Sequence, residues 1–359
     1  MANGLDGVVA AETVLSEVDG AAGRLVLRGC AIEDLAGRAS FAEVTHLLFA
    51  GFFQNLPPAA ALEHTLGRAR ADVFSHAAAL DATLLARTAT EAMRALMARL
   101  DDGDDLDAAL RLVAAPAVFT PAILRARQGL APIAPDPDAG HSQDVLRMMT
   151  GAPPTTAQAA ALDAYLVTVC DHGLNASTFA ARVVASTQAG LTSAALAGFS
   201  ALKGPLHGGA PGPVIEMLDA IGEIGNATAW LEAALERGDR LMGFGHRIYR
   251  VRDPRADALK HVVRALGPTS GRLAYAEAVE AAALDILRRR KPQRSLQTNV
   301  EFYTALLLEA LAFPADAFTC VFAMGRVIGW IAHAREQAQS GRLIRPQSLY
   351  VGPAPMRAA

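Results

Sequence analysis

Apolar residues in this chain recur at helical spacing almost from end to end, and nowhere do strands alternate with helices. Between Ser40 and Phe53, for example, Ser40 stands where an N-cap belongs, and Phe41, Val44, Leu47 and Leu48 fall on one helical face. Only two short stretches read as strand: Arg24 to Arg28, where Leu25 and Leu27 flank Val26 before Gly29, and Leu349 to Val351 near the end. A parallel sheet needs strand and helix in alternation, so Rossmann and barrel folds are excluded and the expected class is all-α. Two proline-rich breaks, Ala131 to Gly140 and Gly151 to Thr156, read as loops within a helical domain, because apolar helical patterns resume on both sides.

The composition suits a large buried core: of 359 residues, 52% are hydrophobic and 19% charged, a length that allows two or three domains. The 33 basic and 36 acidic side chains nearly cancel, so no global field attracts nucleic acid or an anionic membrane, and an anionic ligand must be held by local clusters. The start of the chain carries Asp6 and Glu12 with no basic residue ahead of an apolar stretch; this does not fit a secretory signal, and a cytoplasmic protein is expected. The most apolar C-terminal stretch is interrupted by Arg326 and His333, so no membrane-spanning run is expected. Cys30, Cys170 and Cys320, an odd number at unrelated spacings, argue against a disulfide framework or a metal site and read as buried thiols.

Four segments concentrate His, Arg, Gly and carboxylate beyond what helix packing requires. Asp171 to Ser177 places a polar cluster directly after the apolar run Tyr165 to Cys170, as either a satisfied buried network or part of a ligand pocket. Leu202 to Ala210 sets three glycines and a proline around His207, either letting backbone approach a ligand or forming a plain turn before the helical pattern Val214 to Ile221. Arg240 to Arg255 holds five arginines in sixteen residues (Arg240, Arg247, Arg250, Arg252 and Arg255) beside Gly243-Phe244-Gly245-His246. Guanidinium forks match carboxylate and phosphate oxygens, so this is an anion site or a solvated basic surface. The fourth runs from Asn299-Val300-Glu301 to Arg326 and Arg345. Arg326 lies between Phe322 and Trp330 on an apolar helical face and needs a counter-charge, from an internal salt bridge or a bound carboxylate.

In this order the segments resemble the citrate synthase family over nearly the whole chain. The resemblance is carried by Gly4 to Val9, Asp19-Gly20, Gly23-Arg24-Leu25, Arg28-Gly29, Asp171 to Ser186, LKGPLHGGA from Leu202, MGFGHR from Met242, Asp253-Pro254-Arg255, Gly329 to His333 and Arg345-Pro346. It implies a large helical domain, residues 1–209 and 306–359, and a smaller helical domain, 210–305, that closes over an active site between them in a homodimer whose partner contributes nearby. The implied reaction condenses acetyl-CoA with oxaloacetate and water to give citrate and CoA. Propionyl-CoA turnover, as in 2-methylcitrate synthase, and a non-catalytic CoA- or oxo-acid-binding relative stand as alternatives. By the same resemblance His207 hydrogen-bonds the thioester carbonyl as it enolises, His246 polarises the 2-oxo carbonyl and Glu301 is the base. His172, Arg255, Arg326 and Arg345 hold the oxo acid's carboxylates, and Leu241, Met242, Gly243, Phe244 and Gly245 lie along coenzyme A, whose phosphates the run Arg288, Arg289, Arg290, Lys291 and Arg294 could meet.

The residue types suit this chemistry independently. Removing a barely acidic methyl hydrogen takes a carboxylate base and simultaneous donation to the thioester oxygen, and the oxo acid needs a donor at its carbonyl with its carboxylates fixed. No metal or redox cofactor is implied; the coenzyme A thioester is a substrate. The chain departs from the family pattern at Glu301, where aspartate is usual, at Gln297-Thr298, where Tyr-Pro is usual, at Pro211-Gly212-Pro213, and at Cys30, usually aromatic. Loss of the rigid proline is expected to let the backbone retreat and accommodate the longer glutamate.

Overall fold

The computed structural model describes residues 4–353 except 6, 208–210, 247 and 268–271, so Arg247, Gly208 to Ala210 and the expected boundary at 209/210 lie outside the described residues. Three short strands come first, β1 (Ser16–Asp19), β2 (Arg24–Leu27) and β3 (Cys30–Ala31), antiparallel in the order β1-β2-β3 with Ser16 opposite Leu27 and Val26 opposite Ala31. Helices make up the rest. They are α1 (Ile32–Leu35), α2 (Phe41–Phe49), α3 (Ala59–Val73), α4 (Ala82–Leu85), α5 (Ala89–Met97), α6 (Leu106–Arg127), α7 (His141–Thr150) and α8 (Thr156–Val169), followed by α9 (Ala176–Ala185), α10 (Leu191–Leu202), α11 (Pro211–Ile221), α12 (Ala227–Glu236), α13 (Pro254–Ala265), α14 (Leu273–Arg290), α15 (Val300–Ala310) and α16 (Phe318–Ser340).

Local chemistry explains many of the helix starts. Ser40 caps α2 in a reciprocal box with Glu43, and Thr88 with Glu91 and Thr155 with Gln158 do the same for α5 and α8, each satisfying backbone donors the first turn would leave unpaired. The Arg24 strand is β2, but residues 349–351 form no strand: they lie exposed and pair with no other segment among the described residues. β1 escaped the sequence reading because Ser16-Glu17-Val18-Asp19 is too polar to register as a strand.

One group of helices centres on α6 and α16. α16 packs on α2, α6, α8, α9 and α10, with Trp330 wholly buried, while α3, α5 and α7 close around α6. Both α6 and α16 are apolar and long enough by composition to cross a membrane, yet charges interrupt each and 83% and 94% of the relevant windows are buried inside the protein, as core helices. Cys170 and Cys320 are buried as expected; Cys30 is only partly so, because it sits in the short edge strand β3. In a second group α11 and α13 pack on α15, and α12 on α14; α8 meets both α13 and α15, which brings the two groups together. α15 runs straight through the expected boundary at 305/306. Arg289 and Arg290 of the basic run pair with Glu232 and Glu236 of α12 (3.6 and 3.1 Å), so these charges fasten the α12–α14 pair.

Candidate active site

A buried polar frame holds the loop between α8 and α9. Asp171 is fully buried; Ser16 of β1 donates its hydroxyl to it, and His333 of α16 approaches it at 3.2 Å. Arg182 donates to His333 Nδ1 (2.9 Å) and to Glu336 (2.5 Å), so Nδ1 is the acceptor and the His333 proton lies on Nε2, facing Asp171. Burial works against the Asp171 charge, but His333 and Ser16 outweigh it and hold its pKa below the usual value. Beyond the loop Asn175 caps α9, its Oδ1 accepting from Ser177 N and Thr178 N, both 3.1 Å.

This frame carries His207. Its Nε2 lies 2.8 Å from Ser177 Oγ and 3.2 Å from Asn175 Oδ1, and Trp330 donates its indole N–H to the same Ser177 oxygen at 3.1 Å. Burial, reinforced by Arg326, lowers the His207 pKa to about 4, so the ring is neutral at pH 7. The Ser177 hydroxyl also lies 2.7 Å from Asn175 Oδ1, its other acceptor; when it donates to His207 Nε2 instead, the ring proton sits on Nδ1.

His246 is neutral too, its pKa lowered to about 4 by burial and by Arg255. Its tautomer follows from the backbone: Nδ1 accepts from Ile248 N and Tyr249 N, both 3.0 Å, so the proton is on Nε2. Arg255, which can only donate, places its guanidinium nitrogen 3.4 Å from that same Nε2. Two donors thus face each other with no acceptor between them. Arg255 is held there by Asp253, the N-cap of α13, through bonds of 3.0 and 2.9 Å, while the second Asp253 oxygen also receives Val300 N at the start of α15. His172 completes the cluster: its Nε2 is 3.1 Å from the Tyr249 hydroxyl and its ring centroid is 5.6 Å from that of His246. Burial, with Arg255 and Arg326, holds its pKa well below the ordinary value, so it meets a ligand as a neutral ring.

Arg326 on α16 is 2% exposed and forms no salt bridge among the described residues. Its Nε donates to Val169 O (2.6 Å) and its guanidinium lies over the Phe322 ring (4.8 Å). Burial lowers its pKa to about 10 against the opposing pull of Asp171, so the charge survives at neutral pH with no carboxylate in direct contact among the described residues. Glu301, in the first turn of α15, is its electrostatic neighbour. Its carboxylate makes no hydrogen bond among the described residues, and burial raises its pKa to about 7 against the opposing pull of Arg255 and Arg326.

The loop 241–245 pairs with the segment that leads into α15. Gly245 N donates to Gln297 O (2.7 Å), Asn299 N to Gly243 O (2.9 Å), and Phe244 bridges Thr298. Gly243 has φ +83°, and a Cβ there would fall 2.8 Å from the Phe302 ring, so only glycine lets the loop lie on α15. Gly20 serves a similar end at the β1–β2 turn, where a Cβ would meet Ile248 O at 2.3 Å and where Gly20 O accepts Arg250 N. The expected loosening at Gln297-Thr298 is not what the structure has. Thr298 is 1% exposed and donates to Glu280 (2.6 Å), which also binds Tyr303 (2.5 Å) and Arg252 (2.9 Å), so a buried carboxylate supplies the rigidity.

Residues 4–347 match the family described as citrate synthase, C-terminal domain. The chain belongs to the citrate synthase family. It is 38% identical to the citrate synthase of Haloferax volcanii, covering 97% of this chain and 95% of that one, and 36% identical to a 2-methylcitrate synthase of Mycobacterium tuberculosis, covering 97% and 90%. Among solved structures, the citrate synthase of Thermoplasma acidophilum in ternary complex with carboxymethyl coenzyme A and oxaloacetate superposes with a TM-score of 0.84 at 27% identity, over 100% of this chain and 98% of that one. The protein is therefore an all-α acyltransferase of the citrate synthase type.

Of the residues singled out from the sequence, His172, His246 and Arg255 lie in one cluster, with Arg326, Glu301 and His207 within electrostatic reach of it. Arg345 does not join them within this chain: it is exposed on the segment after α16. Sequence reasoning placed Ser177, Trp330 and Asp253 within motifs without giving them the roles of holding His207 and anchoring Arg255, and it passed over Tyr249, which bridges to His172. Only Asp253 carried a local signal, an aspartate directly before a helix-starting proline.

Proposed function

We propose that the protein condenses acetyl-CoA with oxaloacetate and water to citrate and CoA. The observation that carries this reading is the set of unanswered donors, His246 Nε2–H against Arg255 at 3.4 Å and the buried Arg326, set beside a carboxylate whose pKa is about 7. Donors that converge without an acceptor suit an oxo acid whose carbonyl and carboxylate oxygens supply what they lack. In this reading the methyl proton of the thioester passes to Glu301 while His207 donates to the thioester oxygen. The enol carbon then attacks the oxo carbonyl, whose oxygen is polarised by the Nε2–H of His246 and becomes the hydroxyl, its proton balanced by the one Glu301 took from the methyl group. Water then adds its oxygen to the thioester carbon and a proton to the sulfur to release CoA. Residues 210–305 act as the closing domain, with the 241–245 loop along coenzyme A.

A homodimer belongs to the same proposal, with Arg345 completing the oxo-acid site of the partner. Its support is exposure: Arg345 stands free on a segment whose Leu343, Leu349, Tyr350 and Val351 are 57%, 64%, 73% and 87% exposed, a run of apolar surface that a second copy would cover. The test is thiol release from acetyl-CoA and from propionyl-CoA, each with and without oxaloacetate. Oxaloacetate-dependent release favouring acetyl-CoA is expected; preference for propionyl-CoA would assign the 2-methylcitrate reaction, and release from neither would leave a binding protein.

A further inference from the structure

The N-cap residue of α15 makes a bond that capping does not require. Asn299 Oδ1 accepts from Glu301 N (3.0 Å), which is the cap, and Asn299 Nδ2 donates to Gly245 O (2.8 Å). Serine or aspartate would cap equally well, since a cap needs only an acceptor; the amide donor has no use at a helix end. Its partner, the Gly245 carbonyl, belongs to the peptide that leads into His246, and the capped N–H is that of Glu301 itself. A single side chain therefore spans the base-bearing helix and the loop bearing the carbonyl-polarising histidine.

The surroundings make this a rigid link. On one side Thr298 is pinned by Glu280 (2.6 Å); on the other Val300 N is held by Asp253 (3.1 Å), so the Asn299 backbone is fixed independently of its side chain. The backbone bonds between 243–245 and 297–299 align the two segments along their length, and the amide adds the connection nearest both reacting groups. We propose that Asn299 is a positioning residue that sets the separation of the Glu301 carboxylate from the His246 imidazole and ties it to the placement of the 241–245 loop. The inference rests on the reading of Glu301 as base and His246 as donor.

The test compares the full-length parent with Asn299→Ser and Asn299→Ala, using acetyl-CoA and oxaloacetate. Serine keeps the cap and loses the donor; alanine loses both. Both variants should lose roughly ten- to a hundredfold in kcat, the scale of a displacement of about 1 Å, with the KM for oxaloacetate within about twofold of the parent. Serine should restore the thermal stability that alanine loses without restoring kcat. An Asn299→Ser enzyme with the parent's kcat, or a kcat that recovers together with stability, overturns the inference while leaving the function standing. A parent that releases no thiol overturns the catalytic reading and this inference with it.

Discussion

Glu301→Gln separates a catalytic base from a structural ion pair by the sign of a stability change. Burial raises the Glu301 pKa from 4.5 to about 7 in the folded protein, against the pull of Arg255, whereas the unfolded chain releases its proton near the ordinary value. Between those two values the folded state binds more protons, so this group's contribution to stability is full below 4.5, falls as pH rises, and is gone above about 7. At about 1.4 kcal/mol per pH unit the window is worth about 3 kcal/mol, an upper bound because the side chain is only partly screened from water. Glutamine has no proton to lose. The variant should match the parent near pH 4.5 to 5 and exceed it by up to about 3 kcal/mol at pH 8. With an unfolding entropy of about 2 cal/mol/K per residue, that is a rise in Tm of about 4 °C, readable by scanning calorimetry at pH 5, 6, 7 and 8. In the same variant thiol release and exchange of the acetyl methyl hydrogens with solvent should both vanish, and kcat of the parent should climb through pH 7 as the base ionises. A carboxylate held by an ion pair would have a depressed pKa, and its replacement would destabilise the protein increasingly as pH rises. A Tm gap of that sign, or turnover near the parent rate, refutes the reasoning.

Arg326→Met should raise the KM for oxaloacetate about ten- to a hundredfold with little change for acetyl-CoA, and should raise the Tm of the unliganded protein by removing a buried charge that forms no salt bridge among the described residues; equal weakening of both substrates in steady-state kinetics counts against the role. His207→Ala and His246→Ala should each cost about 10²- to 10⁴-fold in kcat with helicity by circular dichroism unchanged, and loss of helicity in both would make them structural residues. Asp253→Asn breaks the buried fork on Arg255 and weakens the bond to Val300 N, so it should cost about 3–5 kcal/mol in thermal unfolding and reduce oxaloacetate affinity; a variant as stable as the parent would show that the fork is not what holds Arg255.

Much of the fold was legible because its causes are local. The capping box at Ser40 and Glu43, the helical spacing of Phe41, Val44 and Leu48, and the proline breaks before α7 and α8 act within a turn or two of chain, and composition alone implied a core large enough for buried helices such as α6 and α16. The site was legible as a set of residue types in order: two histidines for donation, a carboxylate for a base, arginines for anions.

What those residues are chemically was decided by the tertiary structure. His246 is a donor at Nε2 because two backbone N–H groups occupy Nδ1; Arg326 forms no salt bridge among the described residues because α8 offers it a carbonyl rather than a carboxylate; Glu301 is poised near neutrality because burial disfavours its charge. The bond from Asn299 to Gly245 joins positions 54 apart in the chain. Helical periodicity and caps depend on neighbours in sequence, so the sequence determined them by itself. Protonation states, tautomers and unanswered charges depend on desolvation and on partners brought from distant segments, and only the folded chain puts those in place.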